Sequence, residues 1–176
     1  GERHSVFIDG EGRLSSCGSG LLGHGEGVTR LNTPTRLTSV GGERVVSVSA
    51  GSSHSLALTA GGALWSWGAG GQGRLGHGDN QAQRQPKKIE AFAGQRVVAV
   101  SAGSDHSLAL TADGAVWSWG LGGYGKLGHG DEQRQWQPNT IEALAGQRVV
   151  AVSAGAWHSL AITANGAVWS WGNGGY

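Results

Sequence analysis

Seven histidines, several with a serine beside them, hold most of the reactive chemistry this chain offers. His4-Ser5, His54-Ser55, His106-Ser107 and His158-Ser159 are adjacent pairs, and an imidazole beside a hydroxyl is the raw material of nucleophilic catalysis. Neighbours along a strand point to opposite faces, however, so these adjacent pairs do not serve as nucleophile and base. His24, His77 and His129 occupy equivalent loops, the last two in the string LGHGD with Asp79 and Asp131. Those acids suit turns better than the orientation of a base. A zinc site needs ligands converging within about 2.0–2.2 Å of one ion. Within each histidine set the members lie a whole repeat apart, with no cluster of cysteines or carboxylates beside them. No catalytic residue and no metal site is expected.

Two strings, Gly68-Ala69-Gly70-Gly71-Gln72-Gly73 and Gly120-Leu121-Gly122-Gly123-Tyr124-Gly125, satisfy GxGxxG. A dinucleotide site would open a helix there, its N-terminus receiving the pyrophosphate. LGHGD follows instead, so the strings read as glycine loops and no cofactor is expected.

The elements that position these residues follow from repetition. GSDHSLALTADGAVWSWG at Gly103–Gly120 recurs at Gly51–Gly68 and Gly155–Gly172, with a worn copy from Gly1. The spacing from His54 to His106, and from His106 to His158, is 52 residues. Each repeat carries four strand signals. In Val97–Ala102 neither alternating set bears a charge, and in His106–Thr111 the set His106, Leu108, Leu110 opposes Ser107, Ala109, Thr111. Asp113-Gly114 predicts a two-residue hairpin turn, matched by Asn165-Gly166, Gly61-Gly62 and Glu11-Gly12. Ala115–Trp119 returns with Trp117 and Trp119 on one face. A weaker fourth signal spans Pro86–Ile89 and Pro138–Ile141. Small or apolar residues on both faces of every strand mean sheets covered on both sides, which radial stacking of four-stranded antiparallel blades provides. The fold class is all-β, a β-propeller.

Thirteen Lys and Arg against twelve Asp and Glu leave a net charge of +1, too little to drive binding to a phosphate backbone. Direct nucleic-acid binding is not expected. One cysteine, Cys17, excludes an intrachain disulfide and fits a reducing compartment. With no apolar run of roughly 20 residues, the chain is expected to be soluble and intracellular, cytoplasmic or nuclear, with no membrane partner.

The strings VVAVSAGSDHSLALTADGAVWSWG and LGHGD, at this spacing, closely resemble the repeat of the regulator of chromosome condensation (RCC1-like) family. The resemblance covers essentially the whole chain and implies seven-bladed propellers. Here the repeats fall at approximately 1–50, 51–102, 103–154 and 155–176, the last cut short, giving about three and a half. The expectation is a partial propeller from a longer protein, with a dimeric ring as second choice and self-association through open blade edges. The family includes an exchange factor for the small GTPase Ran, repeat domains of HECT-type ubiquitin ligases and a plant ultraviolet photoreceptor. The resemblance therefore implies a protein-interaction scaffold, part of a larger regulatory protein such as a ubiquitin ligase. The alternative is a guanine nucleotide exchange factor, and a weaker one is a photoreceptor. Expected partners are proteins, among them a small GTPase or a ubiquitin-pathway component. No insertion or basic tail interrupts the spacing, and Gly155-Ala156-Trp157-His158-Ser159 sets its aromatic one position later than the photoreceptor's Gly-Trp-Arg-His-Thr.

Positions that differ between near-identical repeats are those the scaffold does not dictate, and they are the candidate interaction residues. Arg3, Ser53, Asp105 and Trp157 occupy one such position, just before the strand histidine. Trp136 stands in one copy only, in a polar loop with Gln85 or a neighbour as its counterpart. Arg84, Lys87 and Lys88 form a basic cluster facing Arg134, Asn139 and Thr140 of the next copy.

Overall fold

A computed structural model describes residues 1–38 and 40–175. Among them fourteen strands form four antiparallel sheets. The first sheet is β1 (His4–Ile8), β2 (Leu14–Ser19) and β3 (Arg30–Arg36). The second is β4 (Val45–Ala50), β5 (His54–Thr59), β6 (Leu64–Gly68) and β7 (Gln83–Lys88). The third is β8 (Val97–Ala102), β9 (His106–Thr111), β10 (Val116–Gly120) and β11 (Gln135–Thr140). The fourth is β12 (Val149–Ala154), β13 (His158–Thr163) and β14 (Val168–Gly172). Strands pair in chain order within every sheet, as successive hairpins do. The sheets stack as propeller blades, with β4, β8 and β12 side by side along the inner margin.

Burial explains why the central strands carry no polar stripe. Every residue of β5 and of β9 is buried, because a sheet covers each face. The apolar core is accordingly divided among three seams between sheets. Leu14, Leu37, Val45 and Trp67 fill the first. Leu56, Leu58, Ile89, Phe92 and Trp119 fill the second. Leu110, Ile141, Leu144 and Val149 fill the third, with Trp171 packed against them. An indole buries roughly 150–250 Å², worth on the order of 4–6 kcal/mol before entropic costs. Of the tryptophans that recur in register, Trp67 and Trp119 are wholly buried. On the uncovered faces of the first and last sheets, Phe7, Ile8, Ile162, Val168 and Trp169 are exposed.

Two local expectations need correction. The hairpin loop has three residues, not two: Thr111 pairs with Ala115 across Ala112-Asp113-Gly114, and of that loop only Gly114 has a positive φ. The same three-residue loop closes between Thr59 and Ala63, where Gly61 replaces the acid, so the Asp113 carboxylate braces the turn and does not cause it. The carboxylate accepts from the Thr111 hydroxyl at 2.6 Å and the Ala115 N–H at 3.3 Å, which suits a type I turn followed by a left-handed glycine. The fourth strand begins three residues earlier than the Pro-to-Ile signal and stops before it ends. Ile89 and Ile141 instead lead into short 3₁₀ turns, Glu90–Phe92 and Glu142–Leu144, and are buried in the seams.

One glycine position sets how closely sheets approach. A Cβ on Gly51 would strike the Gly103 carbonyl oxygen, and one on Gly103 would meet the Gly155 carbonyl oxygen at 2.5 Å. The glycine before each His strand therefore fixes the inner spacing of the blades.

Candidate functional site at the seams of one face

Antiparallel order sorts the connections onto two faces. The loops at 51–53, 103–105 and 155–157 share one face with the long loops at 69–82 and 121–134. The hairpin turns and the 3₁₀ turns Glu90–Phe92 and Glu142–Leu144 lie at the other.

Beneath the first face, histidine and serine do meet, but across seams. His4, His54 and His106 place Nε2 at 2.8, 2.9 and 2.9 Å from the Oγ of Ser55, Ser107 and Ser159 in the next sheet. Ser107 and Ser159 spend their single protons on the carbonyls of Arg74 and Lys126, at 3.0 and 2.8 Å. They must therefore accept from the imidazole, which fixes the proton on Nε2 and leaves Nδ1 bare. Nδ1 of His54 and of His106 has no partner. Burial, with Arg74 near the first and Lys126 near the second, holds both rings at a pKa of about 3. An imidazole whose Nε2 already carries hydrogen cannot take the serine proton, so these pairs are struts.

The loop histidines do the same within a sheet. Ser16, Ser66 and Ser118 donate to the carbonyls of Leu22, Leu75 and Leu127 and face Nε2 of His24, His77 and His129 at 3.1, 2.9 and 2.9 Å. Burial lowers the His77 pKa to about 4. Among the described residues, no three His, Cys, Asp or Glu side chains come together around a common point. The GxGxxG strings each lead into a single 3₁₀ turn, Gly71–Gly73 or Gly123–Gly125, which has no α-helical N-terminus to offer a pyrophosphate.

The variable positions meet in pairs along the seams. The residue before Leu-Gly-His in one sheet faces the residue before the strand histidine in the next. Leu21 and Ser53 line a depression together with Arg3. Arg74 Nη2 and Asp105 Oδ1 lie 2.6 Å apart, and Arg74 also donates to the carbonyls of Gly71 and Ser104. Lys126 Nζ stands 5.0 Å from the centre of the Trp157 ring, which Tyr124 meets edge-on at 6.0 Å. Tyr124 holds a φ of 63°, a left-handed conformation uncommon outside glycine. Lys126 is inaccessible to solvent and its ammonium has no hydrogen-bond partner. Burial lowers its pKa, with Asp105 opposing that shift and Arg74 adding to it.

Trp136 lies in β11, not in a loop. Strand register pairs Gly68 with Gln83 and Gly120 with Gln135, so its counterpart is Arg84. The carbonyls of both accept from a loop glycine of the preceding sheet, Gly25 to Arg84 and Gly78 to Trp136. Arg134 stacks over the Trp136 ring at 4.8 Å. Lys87 and Lys88 sit toward the other end of β7, opposite Ser66 and Trp65, and Lys88 lines a depression on the opposite face with Arg96. The basic cluster is thus split between faces. Arg74, Lys126, Leu21 and Tyr124 were not singled out from the sequence, although each precedes or follows a loop glycine at a position that varies between copies.

Residues 11–58, 61–110 and 113–162 each match the regulator of chromosome condensation (RCC1) repeat, and a second description of that repeat matches 45–74, 97–126 and 149–176. Human E3 ubiquitin-protein ligase HERC2 is 43% identical over 183 residues, covering 100% of this chain and 4% of the relative. The mitochondrial RCC1 domain-containing protein RUG3 of Arabidopsis thaliana is 40% identical over 168 residues, covering 94% of this chain and 36% of its own length. The chain thus spans well under half of these curated relatives. The crystal structure of human WBSCR16 matches with a TM-score of 0.89 at 27% identity, over 99% of this chain and 46% of that one. Sheet order, seam packing and all three matched repeats agree: the chain belongs to the regulator of chromosome condensation repeat family.

Proposed function

We propose that this chain is a protein-recognition segment of a propeller carried by a larger regulatory protein of the ubiquitin-ligase type. The observation that carries the reading is the exposed aromatic pair Tyr124 and Trp157 on the loop face, seated over a buried cation. Aromatic side chains ringed by polar groups are the usual anchors of protein interfaces. Support for a ligase context comes from the identity shared with HERC2 along the whole chain. In this reading the chain carries no catalytic group, and chemistry belongs to other domains of the full protein.

The test is a photo-crosslinking amino acid placed either at Tyr124 or at Gly94 on the opposite face. Adducts to one defined protein should form from position 124 and not from 94, and Trp157→Ala should weaken that partner's binding about tenfold. Equal adducts from both faces reject the reading. A panel of small GTPases in a nucleotide-release assay tests the alternative. Strong acceleration by this chain alone would replace scaffold by exchange factor.

A further inference from the structure

The seams between the second and third sheets and between the third and fourth share one plan but differ in charge balance. In both, the residue before Leu-Gly-His is a cation, Arg74 or Lys126, and its backbone carbonyl accepts from the seam serine. In the first of them the next sheet answers with a carboxylate, Asp105, at 2.6 Å. In the second the answering position holds Trp157, which offers only a ring face at 5.0 Å. The Lys126 ammonium is left inaccessible and without any hydrogen-bond acceptor. A buried ammonium seeks a charged, hydrogen-bonding partner, and a π face supplies only part of that need.

We propose that this seam is a receptor for a carboxylate side chain from an acidic segment of a partner protein, which takes at Lys126 the place that Asp105 takes at Arg74. Asp105 is the template, since it shows on the same scaffold where a carboxylate sits. Trp157, 41% exposed, and Tyr124, 57% exposed, are the movable wall. Trp157 stands over the ammonium, so entry of the carboxylate requires its ring to turn aside, while the indole and phenol faces then cover the stem of the incoming side chain. A carboxylate is preferred to a bulkier anion because a carboxylate is what answers the cation at the equivalent seam, at Asp105. The inference rests on the loop face being a protein-recognition surface and names the chemistry of what it recognises.

The test uses fluorescein-labelled hexaglutamate, titrated against the whole chain at physiological salt and followed by anisotropy. Wild type should bind hexaglutamate and not hexaglutamine. K126M keeps the volume of the side chain without its charge and should weaken binding about tenfold, the worth of one charge-assisted contact. Trp157→Asp should abolish binding by supplying the carboxylate from within, with a melting temperature no lower than wild type. Arg148→Met on the opposite face should change nothing. Unaltered binding in K126M or in Trp157→Asp overturns the assignment, as does free glutamate competing as tightly as the peptide, which would indicate a small-anion site. Repeating K126M against the protein crosslinked at Tyr124 separates the two levels. Undiminished capture there would remove the carboxylate receptor and leave the recognition face standing.

Discussion

His54 donates its Nε2 proton to Ser107 of the neighbouring sheet across 2.9 Å, and Ser107 donates its own to the Arg74 carbonyl at 3.0 Å. Both side chains are wholly buried. Ser107→Ala therefore strands the His54 N–H, while the Arg74 carbonyl keeps its bond from Trp119 Nε1, and should cost roughly 1–3 kcal/mol in urea unfolding. Ser53→Ala, exposed on the loop above, should cost less than about 0.5 kcal/mol. Equal midpoints for the two variants would show that the strut carries no weight.

The same burial makes stability depend on acid. His54 and His106 stay neutral down to about pH 3 in the fold, whereas their ordinary value is 6.5. Between those limits the unfolded chain binds protons that the folded chain refuses, so stability is full above 6.5 and falls as pH drops toward 3. Each ring contributes a slope of about 1.4 kcal/mol per pH unit within the window. Urea midpoints measured from pH 7.5 to 4 should fall steadily, and His106→Gln should make the decline shallower by one proton. A flat profile would mean that the rings are charged or open to water.

Much of this arrangement was legible in the repeat, and its limits are physical. Three of the four strands in a repeat announce themselves because none carries a charge: His106–Thr111 is buried throughout, Val116–Gly120 nearly so, and Val97–Ala102 packs along the inner margin with only Val98 well exposed. The fourth was read too late because β7 and β11 are the outer edge strands, where exposure at Arg84, Lys87 and Trp136 leaves no apolar pattern. Adjacent His-Ser pairs diverge, since neighbouring strand positions point to opposite faces. What went unseen is that His54 pairs with Ser107 in the following copy, a partner that only the stacking of sheets supplies. Asp105 and Trp157 stood out as variable, but their meaning depends on Arg74 and Lys126, 31 positions earlier in the preceding sheet. Comparing single columns of the repeat cannot reveal a pair that changes together.

Close approach at the inner margin predicts a sharp contrast between glycines. Gly103→Ala drives a methyl group to 2.5 Å from both the Gly155 carbonyl oxygen and the His106 ring. It should cost on the order of 3 kcal/mol. Gly10→Ala has open space around it and should stay within about 0.5 kcal/mol of wild type. Thermal melts of the two variants suffice, and similar melting temperatures would count against the close contact.

Arg74 and Asp105 form a shielded pair, their side chains 12% and 25% exposed. A double-mutant cycle through Arg74→Met and Asp105→Asn should show a coupling of about 1–3 kcal/mol. The corresponding cycle through Lys126→Met and Trp157→Leu should give about 0.5–2 kcal/mol, the range of a cation over an aromatic face. A coupling near zero for Arg74 and Asp105 would return that pair to the status of an ordinary surface contact.

Every seam strut points the same way along the chain, from His4 to Ser55, from His54 to Ser107 and from His106 to Ser159. At Ser107 and Ser159, whose own protons go to carbonyls, the two sides of a blade are therefore unlike, one giving hydrogens and the other receiving them. Two giving sides laid together would set imidazole N–H against imidazole N–H, so blades add in one order only. A wheel assembled from them has a sense of rotation, and which ring nitrogen holds the hydrogen records it.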